Sequence, residues 1–190
     1  MAFWTDATIQ PKRNYRFRVN IVGFGSESVV WWAKGFKPPS YEISEATHDH
    51  LDNKFFFPGR TTWSDCSMTL VDPATPDAVF LTNQILVNSG YKVKSLPGEL
   101  DTVSKAGANA AIANSTGTGT PGMGGVSIEI LDAAGAPIET WTLMNAWIKG
   151  VSFSDLAYDN DDLRTIDITF KYDWATCDTS GGTQFGITGS

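Results

Sequence analysis

The sequence predicts a mainly β fold, an antiparallel β-sandwich or barrel of about seven strands with one α-helix and a protruding loop arm. Phe, Trp and Tyr make up 12% of the 190 residues, and aromatic side chains favour pleated, half-buried surfaces. Several segments alternate apolar with polar residues, which is the period of a strand that buries one face. Only one segment combines a helix start signal with helical spacing of its apolar residues. We expect a single domain over residues 1–175 and a flexible tail, rich in Gly, Thr and Ser, over residues 176–190.

The chain opens with two predicted strands. Over Asn14–Val22, apolar residues at odd positions alternate with Arg16, Arg18 and Asn20, as in a half-buried strand. A glycine-containing turn signal then leads to a second strand over Ser28–Phe36. We therefore expect an opening hairpin.

Residues 41–60 are the predicted arm, a protruding segment or long hairpin. Its first part is polar, whereas Phe55, Phe56 and Phe57 form an apolar cluster that a lone loop has trouble burying. Alternation returns in the strand predicted over Thr61–Val71. The apolar face of that strand holds Cys66, Met68 and Leu70.

A helix of about four turns is predicted to end before Gly90. Thr75 is placed as its N-cap, Pro76 suits its first position and Asp77 meets its positive end. Its expected apolar face consists of Val79, Phe80, Leu81, Ile85 and Leu86. The Gly/Ala/Thr-rich stretch over residues 101–125 lacks bulky side chains, so we expect a surface loop there.

The C-terminal third contains three more predicted strands. Alternation runs over Val126–Ile130, and after a turn at residues 132–137 a strand runs back over Ile138–Ile148. The clearest strand is Arg164–Trp174, in which Ile, Phe, Tyr and Trp alternate with Thr, Asp and Lys.

Composition excludes several classes of protein. A net charge of −7 argues against a surface that grips nucleic-acid phosphates. Two isolated cysteines support neither a zinc module nor a disulfide-rich secreted scaffold. No segment has the length and apolar character of a membrane helix, and the N-terminus has the reverse of a signal peptide's order. We expect a protein made in the cytoplasm without a membrane anchor.

Each candidate for chemistry has a simpler explanation. His48 and His50, with Asp49 between them, fit a solvated loop, because a metal would need another ligand from elsewhere. The acidic run at residues 159–162 lacks the glycine and the closing glutamate of a calcium loop, so it is read as a turn. Cys66, on an apolar strand face, fits a small buried hydrophobic residue. We expect no enzyme, no cofactor and no metal.

The order of the segments resembles the tail-tube proteins of contractile-tailed bacteriophages. The resemblance is carried by F-R-V-N-I at Phe17–Ile21, P-G-R-T-T-W-S-D-C-S-M-T-L-V at Pro58–Val71, the following helix, the stretch Ile128–Trp147, and the T-I-D-I-T-F-K-Y-D-W strand. It covers most of residues 14–175. The loop at 101–125 and the tail inherit no role from it.

This resemblance implies a structural protein of the virion tail, synthesised in the cytoplasm of the host bacterium. Its subunits would form hexameric rings that stack into a hollow tube inside a contractile sheath, with baseplate and tail-terminator proteins at the ends. Genome DNA would pass through the bore without specific binding. The heterologous contact of such a ring closes after a rotation, and exposed strand edges find partners in it.

The resemblance also suggests which residues act in assembly. Phe55, Phe56 and Phe57 are expected to dock on a neighbouring subunit, and Arg16 and Arg18 to pair with an acidic neighbour. Acidic residues are expected to outnumber basic ones along the channel, with Lys171 as the exception, because a basic wall would hold DNA phosphates. At least two of four carboxylates are expected to point into the channel: Asp65, Glu129, Asp167 and Asp173.

Two alternatives stay open. The chain could be a baseplate-end tube protein or a tube subunit of a type VI secretion-like machine. From another class, a carbohydrate-binding β-sandwich would use tryptophans as stacking platforms. The candidate platforms are Trp31, Trp32, Trp63, Trp141 and Trp147.

Overall fold

The computed structural model describes residues 11–22, 33–73, 77–91, 104–113, 125–158, 161–179 and 182–184. Within them lie eleven strands and two helices. The strands are β1 Phe17–Ile21, β2 Ala33–Lys37, β3 Tyr41–His50, β4 Asn53–Trp63, β5 Cys66–Val71, β6 Val126–Leu131, β7 Pro137–Met144, β8 Trp147–Phe153, β9 Thr165–Lys171, β10 Trp174–Thr179 and β11 Gly182–Gln184. The helices are α1 Ala78–Asn88 and α2 Lys105–Ala113.

Nine strands form two antiparallel sheets that share one core. Sheet A has the order β1-β6-β7-β10-β11, and sheet B has the order β2-β5-β9-β8. The remaining two strands, β3 and β4, pair only with each other. The predicted mainly β fold is confirmed.

Alternating side chains build the core between the two sheets. In sheet B, Cys66, Met68 and Leu70 are buried as predicted, and Met68 lies opposite Ile168 of β9. In sheet A, Val19 lies opposite Ile128. The fully buried side chains of the two sheets are Val19, Ile21, Cys66, Met68, Leu70, Val126, Leu143, Ile166, Ile168 and Phe170.

The strands outnumber the prediction for three reasons: two predicted strands are each divided by a corner, the arm contains two strands, and β11 lies in the expected tail. The stretch Ile138–Ile148 breaks at Asn145, whose φ of 54° lies in the left-handed region that asparagine tolerates. The stretch Arg164–Trp174 breaks after Lys171. At each corner the chain crosses between the sheets, from β7 to β8 and from β9 to β10.

The predicted opening hairpin is wrong. β1 pairs with β6 in sheet A, whereas β2 pairs with β5 in sheet B. Each strand finds an apolar partner far along the chain, and a local turn signal does not report such partners. Residues 23–32, which include most of the predicted second strand, lie outside the described residues.

Helix α1 begins two residues later than predicted. Asp77, and not Thr75, is the N-cap, because its carboxylate accepts hydrogen bonds from the backbone N–H groups of Val79 at 2.9 Å and Phe80 at 3.2 Å. Residues 74–76 lie outside the described residues. The buried stripe consists of Ala78, Thr82 and Ile85. Of the expected apolar face, Phe80 and Leu86 are exposed.

Helix α2 occupies part of the stretch expected to be a loop. Ala108, Asn109, Ala111 and Ile112 are buried there. Small side chains allow the helix to approach α1 closely, since a Cβ at Gly107 would lie 2.6 Å from the carbonyl oxygen of Ser89. The loop prediction is therefore wrong for residues 105–113, while 101–103 and 114–124 lie outside the described residues.

The prediction of a flexible tail over residues 176–190 is wrong for residues 176–179 and 182–184, which lie in strands. Residue 175, the expected end of the domain, lies inside β10, which pairs with β7, and β11 continues sheet A. Thr176 and Cys177 are buried. Residues 180–181 and 185–190 lie outside the described residues.

We expect Ile112→Ala to lower the free energy of unfolding by about 2–4 kcal/mol, because it removes a fully buried side chain at the α2 contact. Ala106→Ser, on the exposed side of the same helix, is the control and should cost less than about 0.7 kcal/mol. Urea denaturation of the unassembled protein measures both. A cost for Ile112→Ala no larger than that of the control would contradict the packing of α2.

Candidate assembly surfaces

The predicted arm is a β-hairpin made of β3 and β4, called the arm here. Every residue of β3 is exposed, as is every residue of β4 before Trp63. Strands of this length span about 33 Å. Because neither strand joins sheet A or sheet B, the arm protrudes from the sandwich.

The three phenylalanines of the arm lie on two different faces. Phe55 and Phe57 share one face with their cross-strand partners His48 and Ala46, because successive residues of a strand alternate sides. Phe56 lies on the other face, opposite Thr47 and between charged positions. All three rings are about half exposed or more, at 48%, 62% and 55%. The face with Phe55 and Phe57 is thus the more apolar one.

The base of the arm is fixed to the core. The Trp63 ring lies 5.3 Å from the Tyr41 ring and 5.9 Å from the ring of the buried Tyr172. The backbone N–H of Ser64 donates to the carbonyl oxygen of Ser40 at 2.8 Å. These contacts tie both strands of the arm to the end of β9.

A bulge shapes the arm above this base. The β3–β4 register shifts between Ile43 and Glu45, and the backbone N–H of Arg60 donates to the Ser44 hydroxyl at 2.9 Å. A Cβ at Gly59 would lie 2.8 Å from the carbonyl oxygen of Ser44 and would collide with its hydroxyl. The bulge therefore requires glycine at position 59.

Two of the four predicted channel carboxylates, Asp65 and Asp167, lie on the outer face of sheet B. Asp65 accepts hydrogen bonds from Lys149 and Lys171, each at 2.6 Å. The bond from Lys149, together with that from Lys171, holds the pKa of Asp65 below its ordinary value of 3.8 against the opposing effect of burial. Asp167 is exposed and accepts from the Thr69 hydroxyl.

The same face carries basic side chains. Lys37 of β2 lies opposite Ser67, and the two lysines bound to Asp65 lie on β8 and β9. Within the described residues, acidic side chains therefore do not outnumber basic ones on the outer face of sheet B. Lys171 lies there as expected, beside Asp65.

Glu129 lies on the opposite side of the sandwich. It is on the outer face of sheet A, where its carboxylate accepts from the Arg18 guanidinium across the β1–β6 pair. Since the outer faces of two packed sheets point in opposite directions, one channel wall cannot contain both Glu129 and Asp167. Arg18 has its acidic partner within its own chain.

Asp173 connects the two corners of the sandwich. Its carboxylate accepts from Lys105 of α2 at 2.6 and 2.7 Å and from the Asn145 amide at 2.9 Å. The Lys105 bond is the main cause that holds the pKa of Asp173 below its ordinary value. Its backbone N–H donates to the carbonyl oxygen of Met144 at 3.1 Å. Alternation alone could not reveal these partners, which come from distant segments.

The other candidate residues from the sequence, His48, His50 and Cys66, all lie on strands. His48 and His50 lie on strand β3 and not in a loop, and the described residues contain no group of three or more His, Cys, Asp or Glu able to hold a metal. Burial raises the pKa of the Cys66 thiol to about 11, which suppresses the reactive thiolate. Among the described helices, none is long and apolar enough to cross a membrane.

Three of the five candidate stacking tryptophans are described, and each packs against other side chains of the chain. Trp63 is enclosed by tyrosines at the arm base, and Trp141 and Trp147 pack against the core. Trp31 and Trp32 lie outside the described residues.

No family model matches the sequence, and no curated protein matches it either. Solved structures do match. A chain of an extracellular contractile injection system, in the PVC sheath/tube terminator in its extended state, has a TM-score of 0.61 at 17% identity and covers 90% of this chain and 99% of its own. A chain of the PVC sheath-tube complex gives 0.59 at 16%, covering 94% and 99%. A chain of the anti-feeding prophage tube-terminating cap gives 0.56 at 16%, covering 95% and 100%.

These matches span nearly the whole of both chains in each pair. The chain therefore has the fold of proteins in the tube and terminator assemblies of contractile injection systems. At these identities the likeness establishes the fold.

We expect Asp65→Asn to lower the free energy of unfolding at pH 7 by about 0.5–1 kcal/mol, because two lysines lose their carboxylate partner. The folded-state pKa is lowered, so the stabilisation is complete well above pH 3.8 and disappears as the pH falls through the folded pKa. The difference between wild type and variant should shrink accordingly in chemical denaturation between pH 7 and pH 2.5. The control is Asp178→Asn, at an exposed carboxylate without an ion pair among the described residues. An Asp65→Asn difference that does not change with pH would contradict the assignment.

Proposed function

We propose that the chain is the subunit of the inner tail tube of a contractile tail, stacking as hexameric rings into a hollow conduit inside a contractile sheath. The observation that carries the proposal is the match of nearly the whole chain, 90% and 94% of it, to proteins of tube and terminator assemblies. Sheath protein would surround the tube, and baseplate and tail-terminator proteins would bind its ends. The particle would be a virion, and the conduit would carry genome DNA.

Sheet B supplies a physical basis for a ring. Its outermost strands are β2 and β8, and within the described residues neither has a further strand on its free side. Unpaired strand edges are hazards in a monomer but become interfaces when another copy pairs with them. A head-to-tail contact of β2 with the β8 of the next copy closes a ring if the rotation fits.

In this arrangement the outer face of sheet B forms the wall of the bore. Asp65 and Asp167 would then be the channel-lining carboxylates, while Glu129 faces away and Asp173 remains at the corner. The face carries Ser67, Thr69 and Thr169 and few large apolar side chains, which suits a surface that a charged polymer must slide along. Because Asp65 neutralises part of the charge of Lys149 and Lys171, these lysines would hold phosphates less strongly.

The arm is the second element of assembly. A hairpin with three exposed phenylalanines is a large apolar surface for a monomer to leave in water. Docking on a subunit of the neighbouring ring would bury it. The rigid base at Trp63 would orient the arm toward that subunit.

A terminal position in the tube is the second candidate. Two of the matching structures concern a sheath/tube terminator and a tube-terminating cap. A terminal protein would form single rings that do not stack, so the length of the assemblies separates the two candidates.

We expect electron micrographs of the concentrated purified protein to show six-fold rings or rods with a central hole. Free strand edges favour association, and the net charge of −7 slows it without forbidding it. Rods support the tube body, and rings alone support the terminal position. A species that remains monomeric by light scattering up to millimolar concentration, with no rings in micrographs, would contradict both.

We expect the triple variant Phe55→Ser, Phe56→Ser, Phe57→Ser to fold normally and to fail to form rods, because these side chains are exposed in the subunit. Comparing F55S/F57S with F56S identifies the docking face, and the pair on the more apolar face should have the larger effect. Circular dichroism checks folding, and sedimentation with negative-stain microscopy measures assembly. Full-length rods from the triple variant would show that the arm has no part in stacking.

A further inference from the structure

A basic groove opens between the two sheets at the side where β1 and β2 lie. Its volume is about 480 Å³, and it includes Lys12, Arg13, Arg16 and Lys34 above the apolar side chains Phe17 and Phe36. Among the described residues, no carboxylate lines it. A site with several like charges and an apolar floor favours a ligand that is both acidic and apolar.

Three of these four cations have no acidic partner among the residues that the structure describes. Lys12 bonds to Glu139. Among the described residues, Arg13, Arg16 and Lys34 have no carboxylate oxygen within 4.0 Å of their nitrogens. Arg16 is held over the ring of Tyr15 at 5.5 Å and remains available for an anion. The groove therefore carries positive charge that the described residues of its own chain neutralise only at Lys12.

The loop between β8 and β9 has the complementary character. Residues 154–163 contain Asp155, Asp159, Asp161 and Asp162 and no basic residue. Leu156, Tyr158 and Leu163 in this loop are each at least 72% exposed. Exposed apolar side chains among acidic ones on a surface loop mark a binding segment.

We propose that the described parts of this loop, residues 154–158 and 161–163, dock in the basic groove of a second copy. Asp155 and Asp161 would face Arg13, Arg16 and Lys34, and the apolar side chains of the loop would cover Phe17 and Phe36. The repetition of this contact around a ring rests on the proposed tube function, whereas the pairing of two copies does not.

Two observations favour a second copy as the occupant. Lys34 also lies beside the chain's own loop, in a neighbouring pocket with Asp155 and Leu156, yet Leu156 and Tyr158 remain exposed. The loop therefore does not fill its own groove. A second copy can therefore supply the loop that covers the groove, in a head-to-tail contact.

Charge reversal tests the contact. The groove variant carries R13E, R16E and K34E, and the loop variant carries D155K and D161K. Each alone should raise the protein concentration required for assembly at least about tenfold, because like charges then face each other. Mixed in equal amounts the two should co-assemble in alternation, because the acidic groove accepts the basic loop and the basic groove accepts the acidic loop. The charge-conserving variants R13K/R16K/K34R and D155E/D161E are the controls and should assemble like wild type.

Sedimentation velocity at low salt reads the result, after circular dichroism has shown that each variant is folded. If the triple groove variant does not fold, R13E/K34E at two exposed positions replaces it. Rods formed by either variant alone at wild-type concentration would overturn the contact and leave the tube function intact. Assembly of a single chain carrying all five changes, with no rescue in the mixture, would place the contact within one chain and also overturn it. If wild type forms neither rings nor rods, the tube function fails, and a complex in the 1:1 mixture then supports the contact while its absence overturns it.

Discussion

The two sheets are aligned by the corner at which the chain crosses twice between them, and the carboxylate of Asp173 bridges the parts of that corner. The chain crosses between the sheets at Asn145 and again at Tyr172–Asp173, and Asp173 accepts hydrogen bonds from Asn145 and from Lys105. Asn109 of α2 donates to the carbonyl oxygen of Ala146 at 3.2 Å, so the helix is fixed over the same corner. If these two crossings were not in register, β8 and β9 could not face β7 and β10 with their apolar sides. The corner therefore sets the alignment of the two sheets.

The parts of the fold that could be predicted are those that depend on neighbouring residues in the sequence, and the parts that could not are those that depend on contacts between distant segments. Alternation within a strand is local, so the buried faces of β5 and β9 could be predicted from residues such as Met68 and Ile168. Strand partners are not local, and for that reason the pairing of β1 with β6 contradicted a hairpin inferred from a turn signal. The corner at Asn145 was hidden because apolar residues continue through it. Helix α2 was missed because alanine and glycine lack bulk, although small side chains are what its close contact with Ser89 requires.

The candidate assembly residues also include some that local sequence could identify and some that it could not. Exposed phenylalanines in a segment with few apolar neighbours could be recognised as a surface cluster, and the structure gives them a protruding hairpin. The charged candidates could not be sorted by sequence, since their partners lie on other elements. Arg18 is paired with Glu129 within the chain, while Arg16, just before β1, borders a groove that no described carboxylate lines. Two arginines only two residues apart thus have different surroundings, which the sequence alone does not distinguish.

The arm lies outside the core, so its sequence can vary without affecting how the sandwich folds. Above Trp63 and Tyr41 it contributes no side chain to the core, so its sequence is free of the volume constraints that govern the sandwich. Its backbone is restricted near the base by the bulge at Ser44 and Gly59 and at the tip by Leu51, whose φ is 52°. Distal positions can therefore change in side chain or in length while the body folds as before. If the arm docks as proposed, changes confined to it alter which neighbour is bound and leave the fold of the sandwich unchanged.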